Sequence, residues 1–306
     1  MTTAETGRIS VILDTDPGVD DFFAIAMLCA NRDRINLLGL TAEGGNNTTA
    51  VTAQNALNVL SLLGCDDVPV ARGMDQYLTS PFGAPVAKFH GANGMGNVDL
   101  PVSKRGLEKA RAWDFIHAKA SDFGKIVLVT VGPLTNVAVA LCKYPDLKDH
   151  VSRIVMMGGT TDRGNIGPYT EANMGHDALA SLIVFESGIP IDMVGLNVTR
   201  DCIITPAEFD VMSGHSDSLI ASVMRDLIVF RAGEALHDPI AAAAMLVPEI
   251  ISWEDAYTQI EFSDLKTNGM CHIDPEKTDS FNSRIAMKLD QAAYRGMFRE
   301  MVRSLV

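Results

Sequence analysis

Leu13-Asp14-Thr15-Asp16-Pro17-Gly18-Val19-Asp20-Asp21 packs four carboxylates into eight residues. Like charges this close repel and raise one another's pKa unless a cation or several N–H donors neutralise them. A hard ion such as Ca2+ or Mg2+, which prefers oxygen ligands, would relieve the crowding. The other reading is a helix start in which Asp16 or Asp20 caps the helix and the rest are solvated, but one cap accounts for one Asp. A further acid stands in His237-Asp238-Pro239, ahead of the apolar run Ile240–Leu246. Asp238 suits the N-cap and Pro239 the first helical position. Neighbours at such a start point different ways, so Asp238 can turn to a shared ion while His237 faces whatever lies beside it. Taken alone, a cap next to an ordinary histidine is the simpler account of that pair.

Gly45-Asn46-Asn47, Gly164-Asn165 and Glu171-Ala172-Asn173 add amides and a carboxylate on Gly-rich segments. Such groups can hydrogen-bond vicinal hydroxyls in pairs. Asn also serves turns for purely local reasons, so the interest lies in their joint position after successive apolar runs.

Short β-branched runs alternating with helical patterns must position these groups. Ile9–Leu13 precedes Asp20–Ala30, Ile35–Thr41 precedes Thr48–Leu63, and Ile126–Val131 precedes Pro133–Cys142; Ile154–Met157, the helix Ala178–Glu186 and the strand Ile191–Val194 continue the rhythm. This predicts an α/β fold with a mostly parallel central sheet flanked by helices. From Thr205 onward the pattern is mainly helical, with a strand at Arg284–Leu289 and a closing helix from Gln291. Met74–Arg105 and Gly158–His176 read as long loops, which in compact domains are more often functional than idle. Sites in open α/β sheets lie outside the carboxyl ends of the strands. Asp14–Asp21, Gly44–Asn47, Val131–Asn136, Gly158–Asn173 and the His237 helix start are the segments expected there.

A chain of 306 residues that is 47% hydrophobic can bury a large core. Its net charge of −13 would repel phosphate backbones and anionic lipid, which excludes nucleic acid and membranes as partners and favours a small neutral molecule or a cation. The five cysteines are odd in number and form no CxxC pair, so a reducing compartment is expected. The opening residues lack a basic segment leading into an apolar run, and cytoplasm is the expected location.

Asp14–Asp21, Gly45-Asn46, Phe89-His90-Gly91-Ala92-Asn93-Gly94-Met95-Gly96, Val131-Gly132-Pro133-Leu134-Thr135-Asn136, Met156-Met157-Gly158-Gly159, Glu171-Ala172-Asn173 and His237-Asp238-Pro239 occur in that order. In this the chain resembles the inosine-uridine-preferring nucleoside hydrolase family over nearly its whole length. The resemblance implies one domain over 1–306, with an open α/β, Rossmann-like core. It implies that Asp16, Asp21, Asp238 and the main-chain carbonyl of Val131 hold Ca2+, with Asp16 also the general base and Asp14 standing behind the ligands. Asp20, Asn46, Asn165, Glu171 and Asn173 would grip the ribose hydroxyls, with Met157 beside the sugar. Position 131 is Val where the family often has Thr, which is harmless if only the carbonyl is used. The stretch from Gly164 to Glu171 and Met174-Gly175-His176 depart from the commonest pattern. His90 and His237 match histidines that the pyrimidine- and inosine-cleaving branch places near the base. The purine-specific branch uses tryptophans there, whereas Trp113 and Trp253 read as core residues in a helix and a strand. A broad or pyrimidine-preferring enzyme of ribonucleoside salvage, assembled as a homodimer or homotetramer, is what the resemblance implies.

The implied chemistry is hydrolysis of the bond between ribose and base. Cleavage develops positive charge on the sugar ring, as in glycosidases, and clustered carboxylates stabilise it. A metal-activated water would lose its proton to Asp16, and His237 is the candidate to protonate the leaving base. Two other classes share features of the sequence. Asp14-Thr15-Asp16 after a strand is similar to the start of haloacid-dehalogenase-type phosphatases, although Pro17-Gly18 and Asp238 then lack a purpose. A non-catalytic nucleoside-binding protein would keep the ribose grip without turnover.

Overall fold

The computed structural model describes residues 7–263 and 266–306. Its strands are β1 (Ile9–Thr15), β2 (Ile35–Ala42), β3 (Val70–Arg72), β4 (Ile126–Thr130), β5 (Val151–Met157), β6 (Ile191–Val194), β7 (Ile251–Ala256), β8 (Thr258–Ile260), β9 (Cys271–Ile273) and β10 (Ser283–Leu289). Eight of them form one sheet in the order β3-β2-β1-β4-β5-β6-β10-β7. All its pairings are parallel except β10 with β7 at one edge. β8 and β9 make a separate antiparallel pair.

The β-branched runs form central strands because both of their faces are covered. Successive side chains alternate between faces, so Val11 and Leu13 of β1, Val127 and Val129 of β4, and Val155 and Met157 of β5 enter one core. Ile12, Leu128, Ile154 and Met156 enter the other. The first core is closed by helices Val19–Cys29, Thr49–Leu62, Asp238–Leu246 and Gln291–Leu305, the second by Ala112–Phe123, Thr135–Lys143 and Ala178–Phe185. Ala241, Ala242, Ala243 and Ala244 are all buried. Such small side chains let the Asp238 helix lie close to the Val19 helix, which brings the starts of both helices to one point.

The expected strands and helices of the first 200 residues are present close to their predicted bounds. Val131 is not in β4: it follows the strand end, where its N–H donates to the Asp14 carbonyl at 2.9 Å. The two long loops are not wholly irregular, since short helices occupy Ala87–His90 and Ala172–His176. The mainly helical reading beyond Thr205 holds only to Leu246; β7, β8 and β9 then follow. These strands are short or half-exposed, so they lack the apolar run that marks a central strand. Trp113 and Trp253 are half-buried rather than core, each beneath an arginine, Arg111 and Arg284. Asp238 is the first residue of its helix, and His237 holds the N-cap position.

Candidate active site

A cavity of about 380 Å³ opens at the carboxyl ends of β1, β4 and β5, where the parallel topology places a site. Asp20, Asn46, His90, Val131, Met157, Asn165, Glu171, Asn173, His237 and Asp238 all line it. Segments more than 200 positions apart in sequence thus meet around one volume, of a size suited to a small molecule.

The acidic turn is built around Asp21. Its Oδ1 accepts from the Thr15 hydroxyl at 2.5 Å and the Asp16 N–H at 3.2 Å; its Oδ2 accepts from the Gly18 N–H at 2.9 Å and the Asn46 amide at 3.1 Å. The cap role considered for Asp16 or Asp20 therefore falls to Asp21. Asp16 is held through Oδ2 by the Asn46 N–H at 2.7 Å, while its Oδ1 is buried with no partner. A Cβ at Gly45 would lie 2.2 Å from Asp16 Oδ2, and one at Gly132 2.8 Å from Oδ1, so both glycines make room for this carboxylate.

Asp20, Asp21 and Asp238 bring ligand atoms within 4.8 Å of one another. Burial, and next the Asp21 charge, hold the Asp16 carboxyl well above the usual range. Asp238 is raised well above it by burial and then Asp20, and Asp21 rises to about 6 for the same two causes. Burial works against ionisation of Asp20 too, but Arg231, followed by His90 and His237, outweighs it and holds Asp20 below its ordinary value. The chemistry of this donor set, several buried oxygens and one unpartnered, fits a hard divalent ion.

Asp14 lies behind the turn, accepting through Oδ1 from Thr41 Oγ1 at 2.5 Å and the Asn136 amide at 2.9 Å, and burial raises it to about 6. Asn46 turns its side-chain amide inward, onto the Asp16 carbonyl and Asp21. Asn173 donates to the carbonyls of Val131 at 3.0 Å and Met157 at 3.1 Å, which pins the ends of β4 and β5 together. Each carbonyl keeps a second lone pair. Glu171 caps the helix Ala172–His176 by accepting from Gly159, Asn173 and Met174 N–H groups, and burial lifts it to about 7. Asn165 sits in a turn closed by its N–H to the Thr170 carbonyl at 3.0 Å.

His90 accepts the Val19 N–H on Nδ1 at 3.1 Å and stands 3.8 Å from Asp20. A Cβ at Gly18 would be 2.2 Å from that nitrogen, so only glycine lets His90 in. His237 Nδ1 lies 2.8 Å from Thr199 Oγ1, and its backbone N–H donates to Asp20 at 3.4 Å. Burial pushes both imidazoles down to about 4, which leaves them neutral near pH 7.

Several groups at or behind the cavity carry no sequence signal of their own. Arg200, Arg231 and His176 line it, and Thr199 orients His237. Glu43 is fully buried beside Asp14 and accepts from the Asn136 N–H at 3.3 Å. Glu43 and Asn136 lie in or beside two strand-end segments expected at the site, so position in the alternating pattern was a usable clue. For Arg231, in a short link between helices, there was none.

The profile of the inosine-uridine preferring nucleoside hydrolases matches residues 11–296. The chain belongs to this family. Among relatives of this hydrolase, the probable uridine nucleosidase 2 of Arabidopsis thaliana is 32% identical over 86% of this chain and 85% of its own length. The pyrimidine-specific ribonucleoside hydrolase RihA of Shewanella woodyi is 32% identical over 93% of this chain and 95% of its own. Among solved structures, the purine-preferring ribonucleoside hydrolase from Gardnerella vaginalis superposes with a TM-score of 0.91, at 32% identity, over 97% of this chain and 98% of that one. The hydrolase is thus an enzyme acting on ribonucleosides, and its acidic cluster is a candidate metal centre. The first motif does not signal a haloacid-dehalogenase-type phosphatase. No helix among the described residues is long and apolar enough to cross a membrane.

Proposed function

We propose that this hydrolase uses Ca2+ to cleave ribonucleosides into ribose and free base, accepting uridine and inosine. The observation that carries this is the buried cluster of Asp20, Asp21 and Asp238, the first and last of which line the cavity, with Asp16 Oδ1 unpartnered nearby. Asp16, Asp21, Asp238 and the Val131 carbonyl are the residues to hold the ion. Asp20 is assigned to the sugar: it lines the cavity, with Arg231 and the His237 N–H beside it. When bound, the ion supplies fixed positive charge that polarises a water and the ribose diol.

The residues do the rest. Asp16 takes the proton of the attacking water through an oxygen no other group occupies. Asp20, Asn46, Asn165, Glu171 and Asn173 fix the sugar hydroxyls, with Met157 against the ring, and Asp14 braces the turn. The carboxylates stabilise the cationic sugar of the transition state. His90 and His237 face the base, and His237, being neutral, serves as a hydrogen-bond donor to it. The free cysteines suit a cytoplasmic enzyme of salvage, read here as one unit over 1–306 and as a homodimer or homotetramer.

The test is release of free sugar from a panel of purine and pyrimidine ribonucleosides and deoxyribonucleosides. Uridine is expected to exceed 2′-deoxyuridine in kcat/KM by about a thousandfold, because a site built to bond a hydroxyl is left with unpaired polar groups without it. Equal rates would remove the diol grip from Asp20 and Asn173; no sugar release from any member would overturn the function.

A further inference from the structure

We propose that Arg231 is a specificity-determining residue, placing a fixed positive charge where an oxo-base such as uracil or hypoxanthine departs. This rests on the ribonucleoside reading above. The guanidinium is 7% exposed and lines the cavity. One Nη donates to the Phe89 carbonyl at 3.3 Å, next to His90; the other donates to the Ala235 carbonyl at 2.9 Å, just before His237. It is therefore fixed between the two histidine-bearing segments. Its Nε–H is buried without a partner, and Glu234, its ion-pair neighbour at 3.6 Å, is half-exposed. Of five guanidinium donors, two are placed on backbone carbonyls.

Strapping two loops needs donors but no charge; the charge Arg231 carries acts on Asp20 only through space and meets Glu234 at 3.6 Å, so neither carboxylate ties up the guanidinium by a hydrogen bond. In the reaction the N-glycosidic bond breaks and its electron pair stays with the base. The water oxygen bonds to C1′, and the water's proton passes to Asp16. An oxo-base spreads that electron pair onto its carbonyl oxygens, where a guanidinium stabilises it as it forms. Cytosine, with an amino group in place of one carbonyl, gains less.

The experiment measures kcat and KM of Arg231→Gln, Arg231→Met and Arg231→Lys on uridine, cytidine and p-nitrophenyl riboside, with a thermal melt of each variant. The two neutral variants should lose about ten- to a hundredfold in kcat on uridine, the scale of a charge-assisted hydrogen bond. On p-nitrophenyl riboside, whose phenolate leaves unaided, the loss should be under about threefold, and the uridine-to-cytidine ratio should fall. Arg231→Lys, which keeps the charge, should restore most of the uridine rate. Equal losses on uridine and p-nitrophenyl riboside in a folded neutral variant would reduce Arg231 to a loop strap, as would a lysine variant no better than glutamine. Glutamine keeps a donor and methionine keeps the apolar stem, so if one fails to fold the other decides. An inactive wild type would sink the enzymatic reading instead, leaving the two failures distinct.

Discussion

Asp16→Ala is expected to lower kcat by about ten-thousandfold or more, because one change removes the general base and a metal ligand together. The carboxylate follows the last residue of β1, is buried, and has an oxygen bonded to nothing in the protein. This carboxylate is held on one side only, by the Asn46 N–H, and stands among the charges of Asp21 and Asp20. Its removal also relieves like-charge crowding with Asp21 and Asp20, so the metal-free variant should melt no lower than the wild type. Activity and stability therefore move apart, which separates a chemical role from a scaffold role. Wild-type turnover in Asp16→Ala would end the proposed mechanism, and a large drop in melting temperature with proportionate activity loss would make Asp16 a structural residue.

Much of this site could be read in advance because its chemistry is local in the chain. Asp14, Asp16, Asp20 and Asp21 share one turn, and strand-end geometry brings Val131, Met157 and Asn173 to it without further information. What escaped reading depends on packing between distant segments. The cap expected of Asp16 or Asp20 is taken by Asp21, on which Gly18, Thr15 and Asn46 all converge. Glu171 looked like a sugar ligand alone, yet its carboxylate is also a cap, since Gly159, Asn173 and Met174 all turn N–H groups toward it. Thr199 and Arg231 reach the histidine segments only once the short helix Leu196–Thr199 after β6 and the link before the Asp238 helix pack at the cavity. The paired strands β8 and β9 were invisible for a different reason: three residues each, partly exposed, give no periodicity to detect.

Removing the ion with a chelator should abolish sugar release, and restoring Ca2+ should raise the melting temperature by more at pH 8 than at pH 5. Asp21 goes from an ordinary 3.8 to about 6 and Glu171 from 4.5 to about 7 on burial, with Asp16 and Asp238 displaced in the same direction. A carboxyl whose pKa is raised by folding binds its proton more tightly in the native state. Its contribution is complete below the unfolded value and is lost as pH rises through the folded one. The metal-free enzyme should therefore melt at progressively lower temperature as pH climbs from about 4 through 7. A divalent ion competes with protons for Asp16, Asp21 and Asp238, so it binds best where those carboxylates are ionised and where the metal-free fold is weakest. At a hundredfold excess over Kd, binding stabilises the fold by about 2.7 kcal/mol, or roughly 3 to 5 °C for a chain of this size. Near pH 5 the protons already held by the cluster must first be displaced, and the shift shrinks. A Ca2+-induced shift of equal size at both pH values would mean that the ion binds elsewhere than on these buried acids, and activity surviving exhaustive chelation would show that hydrolysis proceeds without it.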